Sequence, residues 1–181
     1  LCDRRQRQMC IRDRKKPSPV SVNISRVSLY NPRLVEAICG LTDRYHIPRE
    51  LLELELTESA YTTNPKAIKE TMERLQKEGF SILMDDFGSG FSSLNMLKDI
   101  EADIIKIDKG FFDRAFDSVK GKYIVKTVIS LVKGLGYKVI AEGIETKKQL
   151  EFLKTCGCDS IQGYYFGKPQ PWNDFENEHL S

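Results

Sequence analysis

The residues of this chain best suited to chemistry are oxygen donors and one lysine, spread along the sequence as Asn23, Glu55 and Glu58, Asp85 and Asp86, Lys106 and Asp108, Glu142 and Glu145, and Gln162. Carboxylates brought close together repel one another, so in their ionised form they need a cation between them. Carboxylate and amide oxygens with few imidazoles favour a hard divalent ion, Mg²⁺ or Mn²⁺, over zinc or copper. A pair of such ions can polarise a phosphoryl oxygen, activate a water and stabilise the leaving oxygen of an in-line displacement, so phosphodiester hydrolysis is the chemistry this set suits. In that chemistry Lys106 would hold the attacking water or offset developing phosphate charge, and Glu142 would act as general base. The two histidines, His46 and His179, stand apart from these groups and read as surface residues. No Ser/His/Asp triad or Cys/His pair can be built from them.

Distant residues act together only if the fold delivers them to one place. Short apolar runs alternate with amphipathic stretches: strands are expected over Val20–Ser25, Leu51–Glu58, Ser81–Phe87, Ala102–Asp108, Lys138–Ile144 and Asp159–Phe166. Between them fall helices over Pro32–Tyr45, with Leu34, Ile38 and Leu41 as its buried stripe, and after Asn64-Pro65, with Ile68, Met72 and Leu75 inward and Gly79 as the stop. Ser92–Lys98 reads as a short helix, Val119–Leu135 as a long one ending at Gly136, and Thr146 with Gln149 as a capping box. Strand-helix alternation of this kind generates a parallel sheet, and in a closed barrel the carboxyl ends of the strands are where side chains converge. Each candidate sits at such an end.

Taken singly, each has a plainer reading. Glu53, Glu55 and Thr57 fit the solvent side of an antiparallel strand, Asp85-Asp86 a turn before Gly88, Lys106 an exposed strand lysine, Glu142 a loop acid and Gln162 a strand-end hydrogen-bonding residue. Their common placement tells against those readings. Gly88-Ser89-Gly90 reads as a mobile catalytic loop rather than a nucleotide cradle, since a lone G-x-G is weak.

The 181 residues, 40% apolar and 30% charged, suit one globular domain. Lys and Arg total 28 against 26 Asp and Glu, but seven bases and two acids fall within residues 1–16, leaving 21 bases against 24 acids beyond. The body is mildly acidic, so no nucleic-acid polymer is expected as partner. Residues 1–16 have no periodicity and read as a disordered or artefactual basic tail, with residues 17–181 as the domain. Five cysteines without zinc-type spacing read as reduced thiols. With no secretory signal and no run of about 18 apolar residues, a cytoplasmic location is expected, and membrane tethering, if any, would belong to the parent protein.

At these positions the sequence resembles the EAL domain, the bacterial cyclic di-GMP phosphodiesterase family. V-N-I-S at Val22–Ser25, E-L-T-E at Glu55–Glu58, D-D-F-G-S-G-F-S-S-L at Asp85–Leu94, K-I-D at Lys106–Asp108, A-E-G-I-E-T at Ala141–Thr146 and Q-G-Y-Y-F-G-K-P at Gln162–Pro169 follow the family order. The resemblance implies a TIM-type (β/α) barrel that hydrolyses cyclic di-GMP to the linear dinucleotide with Mg²⁺ or Mn²⁺. It places Asn23, Glu55, Asp85 and Asp86 at the metals, Lys106 beside the attacking water, Glu142 as general base and Gln162 as a further site residue. Glu58 matches the glutamate that anchors the loop after Ser81–Phe87, and that loop, through Asp86–Ser93, is tied to metal binding and homodimerisation. Ser89 and Phe91 replace the commoner Thr and Tyr. The family's opening segment, with the E-A-L signature, is not found before Pro17. About six β/α units of an incomplete barrel are therefore expected, in a fragment without activity of its own whose parent carries upstream regulatory domains. A degenerate module that binds cyclic di-GMP or a protein without hydrolysis is the alternative.

Overall fold

The computed structural model describes residues 19–88, 96–112, 115–171 and 173–175. Six strands, β1 (Val20–Asn23), β2 (Leu52–Thr57), β3 (Ser81–Phe87), β4 (Ile104–Ile107), β5 (Lys138–Ala141) and β6 (Ser160–Ile161), lie side by side in chain order in one sheet. Every neighbouring pair is parallel. A parallel sheet in strict chain order is the wall of a (β/α) barrel, here an incomplete one whose edges are β1 and β6. The described helices are α1 (Arg26–Leu29), α2 (Leu34–Tyr45), α3 (Glu58–Thr63), α4 (Pro65–Lys77), α5 (Lys109–Phe112), α6 (Val119–Gly134) and α7 (Lys147–Thr155).

The two faces of the sheet separate by alternation. Leu54, Leu56, Ile82, Met84, Ile105, Ile107, Val139 and Ala141 join the helices in one apolar core, where Ile68, Met72 and Leu75 of α4 are fully buried. Glu55, Leu83, Asp85, Ile104 and Lys106 fall on the alternate positions and so face the other side. The expected caps form as read: the Asn64 side chain accepts the Ala67 N–H with Pro65 in the first turn, and Thr146 and Gln149 make a reciprocal capping box.

Several strands end sooner than their apolar runs suggest. Ile144 is fully buried, yet it lies beyond β5, fixed in a loop by the Gln162 carbonyl and the Tyr165 N–H. Burial there does not require a ladder. Leu41 is also a correction: Val35 and Thr42 are buried on α2, whereas Leu41 is 45% exposed. It lines an open apolar groove with Val22, Leu34, Ile38, Tyr45 and Leu52 instead of joining the core. Helices α1, α3 and α5 are too short to leave a periodic signal, and Glu58 opens α3 rather than closing β2. The basic tail, most of Ser92–Lys98 and the loop beyond Gly88 fall outside the described residues.

Two aspartates bracket the amino ends of the strands. Asp103, just before β4, donates its N–H to the Ile82 carbonyl at 2.9 Å and accepts the Ile82 N–H on its carboxylate at 2.8 Å. Asp159, just before β6, does the same with Val139, at 3.1 and 2.8 Å, and also takes the Lys133 ammonium at 2.6 Å. Burial pushes the Asp159 carboxyl up, but Lys133 and the Val139 N–H outweigh it and leave the group below the usual carboxylate range. We expect Asp159→Ala to cost about 1–3 kcal/mol by stranding the Val139 N–H, and Lys133→Met less than about 1 kcal/mol, both read by denaturant unfolding. Because the folded-state pKa is depressed, the contribution is complete above about pH 4 and lost as pH falls through the lowered value. The stability gap between the wild type and Asp159→Asn should therefore shrink on acidification.

Candidate functional site

One ammonium organises the polar face of the sheet. Lys106 Nζ lies 2.9 Å from Glu55 Oε1, 3.2 Å from Asp85 Oδ1 and 2.6 Å from Glu142 Oε1, joining β4 to β2, β3 and the residue that follows β5. The side chains of Lys106 and Glu55 are each 6% exposed, with Asp85 at 14% and Glu142 at 19%. Burial alone would lower the lysine pKa. Hydrogen bonds to Glu142 and Glu55, with the charge of Asp85, outweigh that and hold Lys106 well above its ordinary value, so it is an ammonium throughout the working range. Burial conversely pushes the Glu142 carboxyl up, and the Lys106 hydrogen bond opposes it without cancelling it.

The two consecutive aspartates reach this face through an irregularity in β3. Met84 pairs with Ile105 and Phe87 with Ile107, so Asp85 and Asp86 together oppose Lys106. This is a β-bulge, in which one extra residue enters the strand. Asp86 takes up the extra turn with φ 59°, a left-handed conformation that aspartate tolerates better than most residues. Its N–H is received by the Asp85 carboxylate at 3.0 Å. Burial, then the charges of Asp85 and Asp108, raise the Asp86 pKa.

Other expected residues stand at varying distance from this centre. Asn23 ends β1 opposite Glu55 in the register and is exposed. Glu58 is buried at the start of α3, and its charge is felt at Asp86. Gln162, exposed just past β6, lines a cavity of about 250 Å³ with Glu142, Gly143, Gly163 and Tyr164. Sequence reasoning treated Lys106 as an accessory to water or phosphate, whereas it is the hub of the acids. It assigned no role to Asp108, whose carboxylate accepts the Gly110 N–H at 2.7 Å, or to Lys109, which pairs with Glu145. K-I-D followed by a second lysine was the available signal.

By donor type, the acids suit a hard divalent cation. Glu55, Asp85, Asp86 and Glu142 supply only oxygen and outnumber the single ammonium among them, and burial disfavours charge on Asp86 and Glu142. Among the described residues no group of three or more His, Cys, Asp and Glu side chains is arranged to hold an ion by itself. The carboxylates turn to the ammonium. Lys106→Met should strand the buried Glu55 and the half-buried Asp85 and Glu142 and cost about 3–5 kcal/mol of stability in chemical denaturation, and adding Glu55→Gln and Asp85→Asn to that variant should recover a large part of the loss.

A parallel wall in strict chain order, with acids and a buried lysine at its carboxyl edge, defines the (β/α) barrel class. Residues 3–169 match the family model of the EAL domain, and the chain belongs to that family. The probable cyclic di-GMP phosphodiesterase PdeA of Escherichia coli is 36% identical over 160 residues, 88% of this chain and 22% of that protein. The structure of the PaMucR phosphodiesterase in complex with c-di-GMP superimposes with a TM-score of 0.83 at 33% identity, over 94% of this chain and 69% of that one. The EAL domain of Mycobacterium smegmatis DcpA gives 0.85 at 29% identity, over 94% and 76%. The chain spans about a fifth of the length of the curated relatives it matches. No described helix is long and apolar enough to cross a membrane.

Proposed function

We propose that the protein carrying this chain is a cytoplasmic, metal-dependent phosphodiesterase that opens cyclic di-GMP to the linear dinucleotide. The observation that carries this reading is the meeting of Glu55, Asp85 and Glu142 on Lys106 at the carboxyl edge of the sheet. It is supported by relatives named as cyclic di-GMP phosphodiesterases and by a c-di-GMP complex of PaMucR. Glu55, Asp85 and Asp86, with the Asn23 amide, are the groups that would hold Mg²⁺ or Mn²⁺. When bound, such an ion supplies Lewis-acid polarisation of the phosphoryl oxygen and a more acidic attacking water.

The chain's own residues divide the remaining work. Lys106 stays protonated, so it donates hydrogen bonds, orients water and offsets charge building on the phosphate. Glu142 takes the proton of the attacking water on its carboxylate, and its raised pKa brings it closer to the operating range of a general base. The water oxygen bonds to phosphorus as the phosphorus–oxygen bond of the ring breaks; the departing ribose oxygen takes a proton from solvent, and Glu142 returns its proton to solvent. Gln162, on the cavity beside Glu142, contacts the substrate. Glu58 anchors the loop through Asp86–Ser93, which also serves a homodimer, and regulatory domains occupy other parts of the protein.

The test uses the protein with its natural flanking sequence. Hydrolysis of cyclic di-GMP should stop on chelation and return with Mg²⁺ or Mn²⁺. Glu142→Gln should lower turnover by about 10²–10⁴-fold while cyclic di-GMP still binds. Unchanged turnover in that variant removes Glu142 as the base, and binding by the wild type without turnover favours a receptor.

A further inference from the structure

The loop carrying Glu142 is gripped from two sides. Toward β6, the Ile144 N–H donates to the Gln162 carbonyl at 3.1 Å, and the Ile144 carbonyl accepts the Tyr165 N–H at 2.9 Å. Toward β4, the grip comes from Lys109, the first residue of α5. A Cβ placed on Gly143 would lie 2.5, 2.6 and 2.8 Å from Cβ, Cγ and Cδ of Lys109, so the lysine stem runs directly against the backbone next to Glu142. Gly143 has φ +69°, and with both its conformation and its space taken, no side chain is accommodated there. The Lys109 ammonium then closes on Glu145 Oε1 at 2.5 Å. Stem and head thus straddle Gly143–Glu145.

An ion pair whose side chains are 56% and 46% exposed adds little to fold stability. Its effect is local. Glu142 is attached to β4 on the inner side as well, its N–H donating to the Ile107 carbonyl at 3.1 Å, while its carboxylate meets Lys106 at 2.6 Å. Residues 106 and 109 therefore hold the same short loop at two points, one at the carboxylate and one just beyond it.

We infer that Lys109 is a positioning residue for Glu142, its stem packed on Gly143 and its ammonium on Glu145 setting the Glu142 carboxylate relative to Lys106. Its kinetic consequence rests on the phosphodiesterase reading. A small displacement of a reacting group is enough to cost one to two orders of magnitude in rate. In the protein with its natural flanking sequence, Lys109→Ala should lower kcat about tenfold with KM nearly unchanged. Lys109→Arg should restore most of it, and Lys109→Met, which keeps the stem and loses the charge, should fall between. Glu145→Gln combined with Lys109→Ala should be little worse than Lys109→Ala alone, because one contact is being removed twice. The thermal midpoint should hold steady across the series. Hydrogen exchange gives a readout independent of turnover: in Lys109→Ala the Glu142 and Ile144 amides should exchange several-fold faster, with the β4 amides unaffected. Wild-type kcat and unchanged exchange in Lys109→Ala would overturn the inference, as would multiplicative effects of the two substitutions. If the wild type fails to hydrolyse cyclic di-GMP, the functional reading falls and the exchange data alone decide the role of Lys109.

Discussion

A buried ammonium shared by three carboxylates is the constraint on which this molecule turns. Neither partner is tolerable alone in the interior: an isolated lysine would lose its proton and isolated acids would keep theirs. Held together by Lys106, Glu55, Asp85 and Glu142 remain in place on three different structural elements. Such an arrangement is weak evidence for stability as such, since apolar residues could fill the space at less cost. On the proposed reading, its place at the carboxyl edge of a parallel sheet is preorganisation, with charge stationed before a substrate arrives.

The two ends of the sheet are built from the same residue type for different purposes. At the amino ends, Asp103 and Asp159 each accept one backbone N–H of the adjacent strand, fixing register, and each takes one side-chain donor besides, Gln76 for Asp103 and Lys133 for Asp159. At the carboxyl ends, the acids turn to a side-chain cation. Both uses follow from what a carboxylate accepts and from how much of it is already satisfied. The aspartates that fix register therefore lie at the opposite end of the strands from the Lys106 cluster.

Much of this was legible in the chain. The Ile-rich run around Lys106, the alternation around Glu55, and the caps at Asn64 and Thr146 depend on local spacing, and local spacing survives folding. The EAL motifs located the acids before their geometry was known. What stayed hidden depends on other parts of the molecule. Leu41 has the right helical phase yet lines a groove, because phase says which side a residue takes and not what covers it. Ile144 is apolar and buried without belonging to a strand. The Lys109–Glu145 contact joins residues 36 apart in the chain, and no spacing rule reaches that far. The hub role of Lys106 was likewise invisible, since a lone lysine in an apolar run does not announce how many acids will find it.

The bulge in β3 carries a consequence for how such a site can change over generations. With one extra residue in the strand, Phe87 recovers the helix-facing side that strict alternation from Met84 would have denied it, while Asp85 and Asp86 both oppose a single lysine. Exchanging one side chain for another leaves that extra residue in the strand. Descendants that shed the chemistry by exchanging an acid would retain the kinked strand as a fossil of it, and the backbone would go on recording an ancestry that the side chains had ceased to express.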